Sequence, residues 1–203
     1  RQVIDKVLRV TRAEPLPASV RIVPAPVESH PQGIFGAQLR TRTIAILAVW
    51  FLVSLSYYGV FVWLPPQLAN EGFGFVRGYG FLVLMALAQI PGYALAAYGV
   101  EKWGRLPTLQ LFLILSALGC FLFTVASGTA MVGGSLLLMS FAFLGAWGAL
   151  YAFTPELYPT GLRGTGMGTA GAVARLGGLL APSMLGGVIA QGFGVAIGLF
   201  AAL

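Results

Sequence analysis

The stretch Gly161–Ala181, reading GLRGTGMGTAGAVARLGGLLA, opens on a loop carrying Arg163 and becomes an apolar, glycine-rich run with one charge in its middle, Arg175. A helix that starts at Gly164 carries Arg175 roughly 16 Å along its axis. The hydrocarbon core of a bilayer is about 30 Å thick, so such an arginine lies near the midplane. A cation there costs about 2.5–3.5 kcal/mol even on lenient insertion scales. Something has to offset that cost. No Asp or Glu falls within an apolar segment: Glu101 and Glu156 sit at segment ends, and Glu71 between segments. Three partners remain open. One is a substrate carboxylate, which a guanidinium can hold bidentately. The second is an acidic residue from outside this chain, and the third is water.

Other polar and aromatic residues fall at helical spacing. Ser54, Tyr57 and Tyr58 share one face, followed by Phe61; Gln89 and Tyr93 are one turn apart; Ser140, Leu144, Trp147 and Tyr151 form a stripe. Aromatic rings beside one cation suit a small aromatic carboxylate, with ring contact and an anionic anchor. The competing reading is ordinary packing, or residence in the aromatic belt at the membrane surface. For Trp50 and Trp63, near the expected ends of their segment, that competing reading, packing or belt, is the expectation.

The elements that position these residues are long apolar runs. Of 203 residues, 58% are hydrophobic and 9% charged, and mean hydropathy is +0.86; soluble domains carry about 25% charged residues. The runs are continuous rather than alternating, which predicts an all-α integral membrane protein and not a barrel. Spans are expected at about 43–68, 78–100, 108–126, 131–153 and 164–190. A sixth begins at Val195 and is truncated at nine residues, where about twenty are needed to cross. Pro65 with Pro66, and Pro91 with Gly92, are expected breaks or kinks. Before the first span, residues 1–14 read as a basic amphipathic helix and 15–38 as a proline-rich linker. Residues 1–42 form one expected unit, and the bundle 43–203 the other. The chain is expected to be a fragment open at both ends.

The net charge of +6 is no mark of nucleic-acid binding, because the basic residues gather in loops. Seven precede the first span; Lys102 and Arg105 follow the second, and Arg163 the fourth, against Arg77 alone on the other side. That asymmetry places the N-terminal segment in the cytoplasm. A lone cysteine, Cys120, excludes an internal disulfide. No cluster of His, Asp, Glu or Cys is present to do catalysis or hold a metal, so no catalytic residue, metal or cofactor is expected, and the chain is read as no enzyme. GTGMG lacks a preceding strand and is not read as a phosphate-binding loop. Its glycines allow close helix approach instead.

Two charged motifs flank the third and fourth spans. Gly99-Val-Glu-Lys-Trp-Gly-Arg105-Leu-Pro107 makes a tight turn in which Glu101 and Arg105 can latch or bind a helix end. Pro155-Glu-Leu-Tyr-Pro-Thr-Gly-Leu-Arg163-Gly-Thr-Gly-Met-Gly168 follows the fourth span. The second resembles the PE-x-x-P-T-x-x-R-x-x-G-x-G signature after the tenth helix of the major facilitator superfamily, in its sugar-porter-like and organic-ion branches. The first is similar to that family's second G-x-x-x-D-R-x-G-R copy, with Glu101 in place of the Asp and Trp103 at the variable position. SYYGVFVWLPPQL resembles the nicotinate and aromatic-acid transporter branch. Ala174–Pro182 is similar to the eleventh helix of organic anion transporters, where an arginine holds the place of Arg175; cation-carrying relatives commonly have an acidic residue there.

The resemblance implies half of a twelve-helix fold, helices seven to twelve, whose other six-helix half is its partner along with the lipid bilayer. It implies a gating set of Glu101, Arg105, Glu156 and Arg163, and a cavity lined from the first and fourth spans with the second and fifth beside them. The candidate substrate-binding residues are then Arg175, Tyr58, Gln89, Trp147, Tyr151 and Ser54. The expected function is secondary active transport of a small organic acid, an aromatic carboxylate such as nicotinate being one candidate. It would proceed by alternating access across a bacterial inner membrane, with protons as coupling ion. The alternatives are a sugar or polyol porter, or a non-transporting receptor or scaffold of the same fold.

Overall fold

The computed structural model describes residues 33–63 and 78–189, together with Val10, Gly72 and Gly74; side chains are described to Ser183, except that of Trp63. Regular structure among the described residues is entirely helical: α1 Arg40–Tyr58, α2 Tyr79–Lys102, α3 Arg105–Thr124, α4 Thr129–Phe153 and α5 Arg163–Ile189. The expected amphipathic helix at 1–14 lies outside the described residues apart from Val10. So do most of the linker, the proline pair Pro65-Pro66 and the sixth span.

Four stretches, Arg40–Val62, Tyr79–Lys102, Arg105–Thr124 and Thr129–Leu157, are long and apolar enough to cross a membrane. The fifth helix is also long, at 27 residues, or about 40 Å of axis. It carries Arg163, Arg175 and many glycines, which lower its apolarity.

α1 begins at Arg40, three residues before the expected Thr43, for a local reason. A 3-10 turn, Gly33–Phe35, is stitched onto its first turn. Arg40 N–H donates to Gly36 O at 2.8 Å, and the buried Thr43 hydroxyl donates to Ile34 O at 2.7 Å. Part of the expected linker is therefore ordered, and Ile34 is buried against the helices. At its other end α1 widens into a π-helical turn, Gly59–Trp63. Proline at 65 and 66 removes the N–H groups that Phe61 and Val62 carbonyls would accept from in an α-helix, which favours a change of pitch here. α2, by contrast, continues as one helix through Pro91.

The helices sort into two groups. α4 packs along α2 on one side and α3 on the other, while α1 packs along α5. Each of these contacts includes a glycine that leaves no room for a Cβ. A Cβ at Gly92 would collide with the carbonyl oxygen of Phe141, one at Gly119 would lie 2.7 Å from Met139 Cγ, and one at Gly177 would lie 2.6 Å from Phe51 O. Small residues at crossings let backbones approach where no water is present to drive apolar association. Between the two groups the backbone contacts are sparse, and the joint is made by rings. Trp50 of α1 meets Trp147 of α4 edge-on at 5.3 Å, and Tyr57 meets Phe143 at 6.2 Å.

Candidate substrate cavity and the charged rim

A cavity of about 280 Å³ opens at this aromatic joint. α1 contributes Trp50, Ser54, Tyr57 and Tyr58; α4 contributes Leu144, Trp147 and Tyr151. α5 contributes Gly171, Ala174 and Arg175, and α2 contributes Tyr93. On each of α1, α4 and α5 the lining positions recur at three or four residues, so one face of each helix turns inward.

Of the candidates from sequence, Arg175, Ser54, Tyr58, Trp147 and Tyr151 all line this one cavity. Gln89 does not. Its amide nitrogen donates to Ser140 Oγ at 3.2 Å, and Ser140 in turn donates to Met85 O at 2.8 Å. Gln89 and Ser140 thus tie α2 to α4 rather than face the cavity.

Trp50, expected from sequence to be a packing or belt residue, is 1% exposed and also lines the cavity. Its indole N–H donates to Thr154 Oγ1 at 2.8 Å. Its ring stands edge-on to Tyr151 at 4.8 Å and 81°, the arrangement that the ring quadrupole favours. The signal was present in the sequence: Trp50 is four residues before Ser54 and belongs to the same face. Tyr93 sits one turn from Gln89, yet it is the residue that reaches the cavity.

Arg175 is the one charged residue of the lining. It is exposed, and among the described residues no carboxylate pairs with it. The wall beneath it is fixed by two contacts. Ser54 Oγ donates to Ala174 O at 2.5 Å. The ring of Tyr58 lies over Gly178, where an added Cβ would come within 2.8 Å of Tyr58 Cδ2. The arrangement can hold a planar ring between tyrosine and tryptophan faces with an anionic group toward the guanidinium.

The charged rim lies at the α2–α3 and α4–α5 turns. Gly104 has φ +95°, a conformation that glycine adopts without strain. It lets Gly104 N–H reach back to Gly99 O at 3.1 Å, which closes α2 and starts α3. Arg105, the first residue of α3, pairs with Glu156 at 2.8 Å, both side chains being a little under half exposed. Arg163 Nε donates to Tyr158 O at 3.3 Å. Glu101 makes no ion pair among the described residues.

Residues 7–182 match the Major Facilitator Superfamily. The chain belongs to that superfamily. Among curated relatives, a Bacillus subtilis protein named for niacin/nicotinamide transport, NiaP, is 41% identical over 160 residues, covering 79% of this chain and 40% of the relative. The niacin transporter NiaP of Acinetobacter baylyi is 40% identical over 184 residues, covering 88% and 42%. Solute carrier family 22 member 16 of Xenopus laevis is 34% identical over 149 residues, covering 70% and 24%. The chain thus spans about two fifths of the length of the NiaP proteins it matches. It is a multi-pass membrane chain of major facilitator type, and the resemblance to nicotinate transporters read from its motifs holds.

Proposed function

We propose that this chain is the C-terminal half of a secondary active transporter for a small organic acid, with aromatic monocarboxylates of the nicotinate type as the first candidates. The observation that carries this reading is the placement of Arg175 as the single cation in a cavity otherwise lined mainly by aromatic side chains. Similarity to proteins named as niacin transporters supports it. The complete cavity forms against the other six-helix half, the N-terminal segment faces the cytoplasm of a bacterial inner membrane, and transport proceeds by alternating access coupled to protons. Within the described spans the carboxylates, Glu101 and Glu156, lie at the ends, and the proton-carrying acid of this reading belongs to the other half. Arg105, Glu156, Arg163 and Glu101 act at the cytoplasmic rim, where contacts made in one state and hydrated in the other bias the equilibrium between states.

The test is uptake of labelled nicotinate, benzoate, nicotinamide and a hexose by the full-length protein in proteoliposomes with an imposed proton gradient. Arg175→Gln is run beside the parent. Carboxylate uptake that falls about 10- to 100-fold in the variant, the equivalent of one lost charge-assisted hydrogen-bond pair, supports the reading. Hexose uptake, or carboxylate uptake indifferent to Arg175, overturns it.

A further inference from the structure

Ser54 lines the cavity, and a hydroxyl there reads first as a group that binds substrate. Its geometry assigns it elsewhere. A serine has one O–H to donate, and Ser54 gives it to the carbonyl of Ala174 at 2.5 Å. Ser54 is 1% exposed and Ala174 7%, so the bond is largely shielded. Ala174 is the residue immediately before Arg175. The bond therefore locks α1 to α5 at the level of the cationic side chain.

A second contact supports the same lock. Gly177, half a turn beyond Arg175, brings the two backbones together: a Cβ there would lie 2.6 Å from Phe51 O and 3.2 Å from Ser54 Cβ. A backbone oxygen cannot step aside as a side-chain end can. One hydrogen bond and two close approaches, at Gly177 and at Gly178 under Tyr58, thus hold the α1–α5 register within a turn of Arg175. The opposite wall, α4, touches α1 chiefly through rings, which tolerate small displacements.

We propose that Ser54 is a positioning residue for Arg175: through Ala174 it sets the height and rotation of α5, and so the preference of the cavity for a carboxylate over the matching neutral amide. This rests on the anion-anchor reading above. It adds that Ser54 does not donate to the substrate.

The experiment compares binding of nicotinate and nicotinamide by the purified full-length protein in detergent. The parent is measured against Ser54→Ala, Arg175→Gln, the double variant, and Gly177→Ala as a second route to the same displacement. The expected result has four parts. Ser54→Ala weakens nicotinate binding about 3- to 20-fold, the equivalent of ~0.6–1.7 kcal/mol for a membrane-embedded hydrogen bond. It leaves nicotinamide binding within about twofold, inside the scatter of non-interacting substitutions. Gly177→Ala acts in the same direction. In the Arg175→Gln background Ser54→Ala has no further effect on nicotinate, because the group it positions is gone.

Equal loss for acid and amide, or additive losses in the double variant, assigns Ser54 a direct or purely structural role and overturns the proposal. A parent that binds neither ligand, or binds the amide alone, overturns the anion-anchor reading itself. Orientation is then read without a ligand, from the reaction of Arg175→Cys with a water-soluble anionic thiosulfonate above the parent's background. A rate that Ser54→Ala leaves unchanged overturns the positioning role as well.

Discussion

The indole N–H of Trp50 donates to the hydroxyl of Thr154 at 2.8 Å, across 104 residues of sequence. Thr154 donates its own hydroxyl hydrogen bond to Leu150 O at 2.7 Å and opens the short 3-10 helix, Thr154–Leu157, that carries Glu156. One buried hydrogen bond therefore joins the cavity wall in α1 to the segment that presents the charged rim. Thr154→Val conserves volume and strands a buried indole donor, which costs about 1–3 kcal/mol. Thr154→Ser keeps the acceptor and removes only a methyl group. The valine variant is expected to be the less stable of the two in thermal unfolding of the detergent-solubilised full-length protein. The opposite order would show that packing of the threonine methyl, not the hydrogen bond, holds this junction.

What could be read in the sequence follows from what is local. Arg175, Ser54, Tyr58, Trp147 and Tyr151 share a cavity because each lies on a helix face that repeats every three or four residues, and such repeats are visible without a structure. The start of α1 was not visible, because it depends on Thr43 reaching back to Ile34 O. With α1 starting at Arg40, Trp50 lies well inside the helix and on the cavity wall. Arg105 shows the same limit. Glu101 is four positions before it, the spacing of a helical ion pair, but Gly104 with φ +95° ends the helix between them. The partner is instead Glu156 from the α4–α5 turn. The task of Ser54 was hidden for the same reason: its acceptor lies 120 residues on.

The Arg105–Glu156 pair is half exposed, so its effect on folding stability is small, about 0–1 kcal/mol. Its effect on transport is expected to be larger. Glu156→Gln and Arg105→Gln should each slow uptake severalfold while protein yield and unfolding temperature stay near those of the parent. The exchanged pair Arg105→Glu with Glu156→Arg should recover part of the rate. Singles that transport as well as the parent would remove the pair from the gate.

Glycine substitutions separate crossing points from open surface. A Cβ at Gly92 would run into the carbonyl oxygen of Phe141, a backbone atom of the neighbouring helix, whereas a Cβ at Gly134 meets nothing within 4 Å. Gly92→Ala is expected to destabilise by about 1–3 kcal/mol, as overpacking does. Gly134→Ala should be neutral, or stabilising by up to ~1 kcal/mol through helix propensity. Thermal unfolding of the two variants side by side checks this. Equal behaviour would mean that α2 and α4 cross elsewhere than at Gly92 and Phe141.

Gln89 and Tyr93 sit one turn apart on α2 and divide the work of that helix. Gln89 bonds Ser140, while Tyr93 lines the cavity with 46% of its surface exposed. Gln89→Leu deletes one hydrogen bond between α2 and α4. The expected cost is about 0.6 kcal/mol of stability, the average for an interhelical bond within a membrane. It should leave the KM for the transported acid within about twofold, because a site without shared partners adds independently. Tyr93→Ala opens the cavity and removes a ring face. The KM is expected to rise several-fold, in line with the ~0.5–1.5 kcal/mol carried by an aromatic contact, while unfolding changes little for so exposed a side chain. Measuring KM and unfolding temperature for both variants separates the two roles. A large KM effect at Gln89 with none at Tyr93 would mean that α2 turns its other face to the substrate.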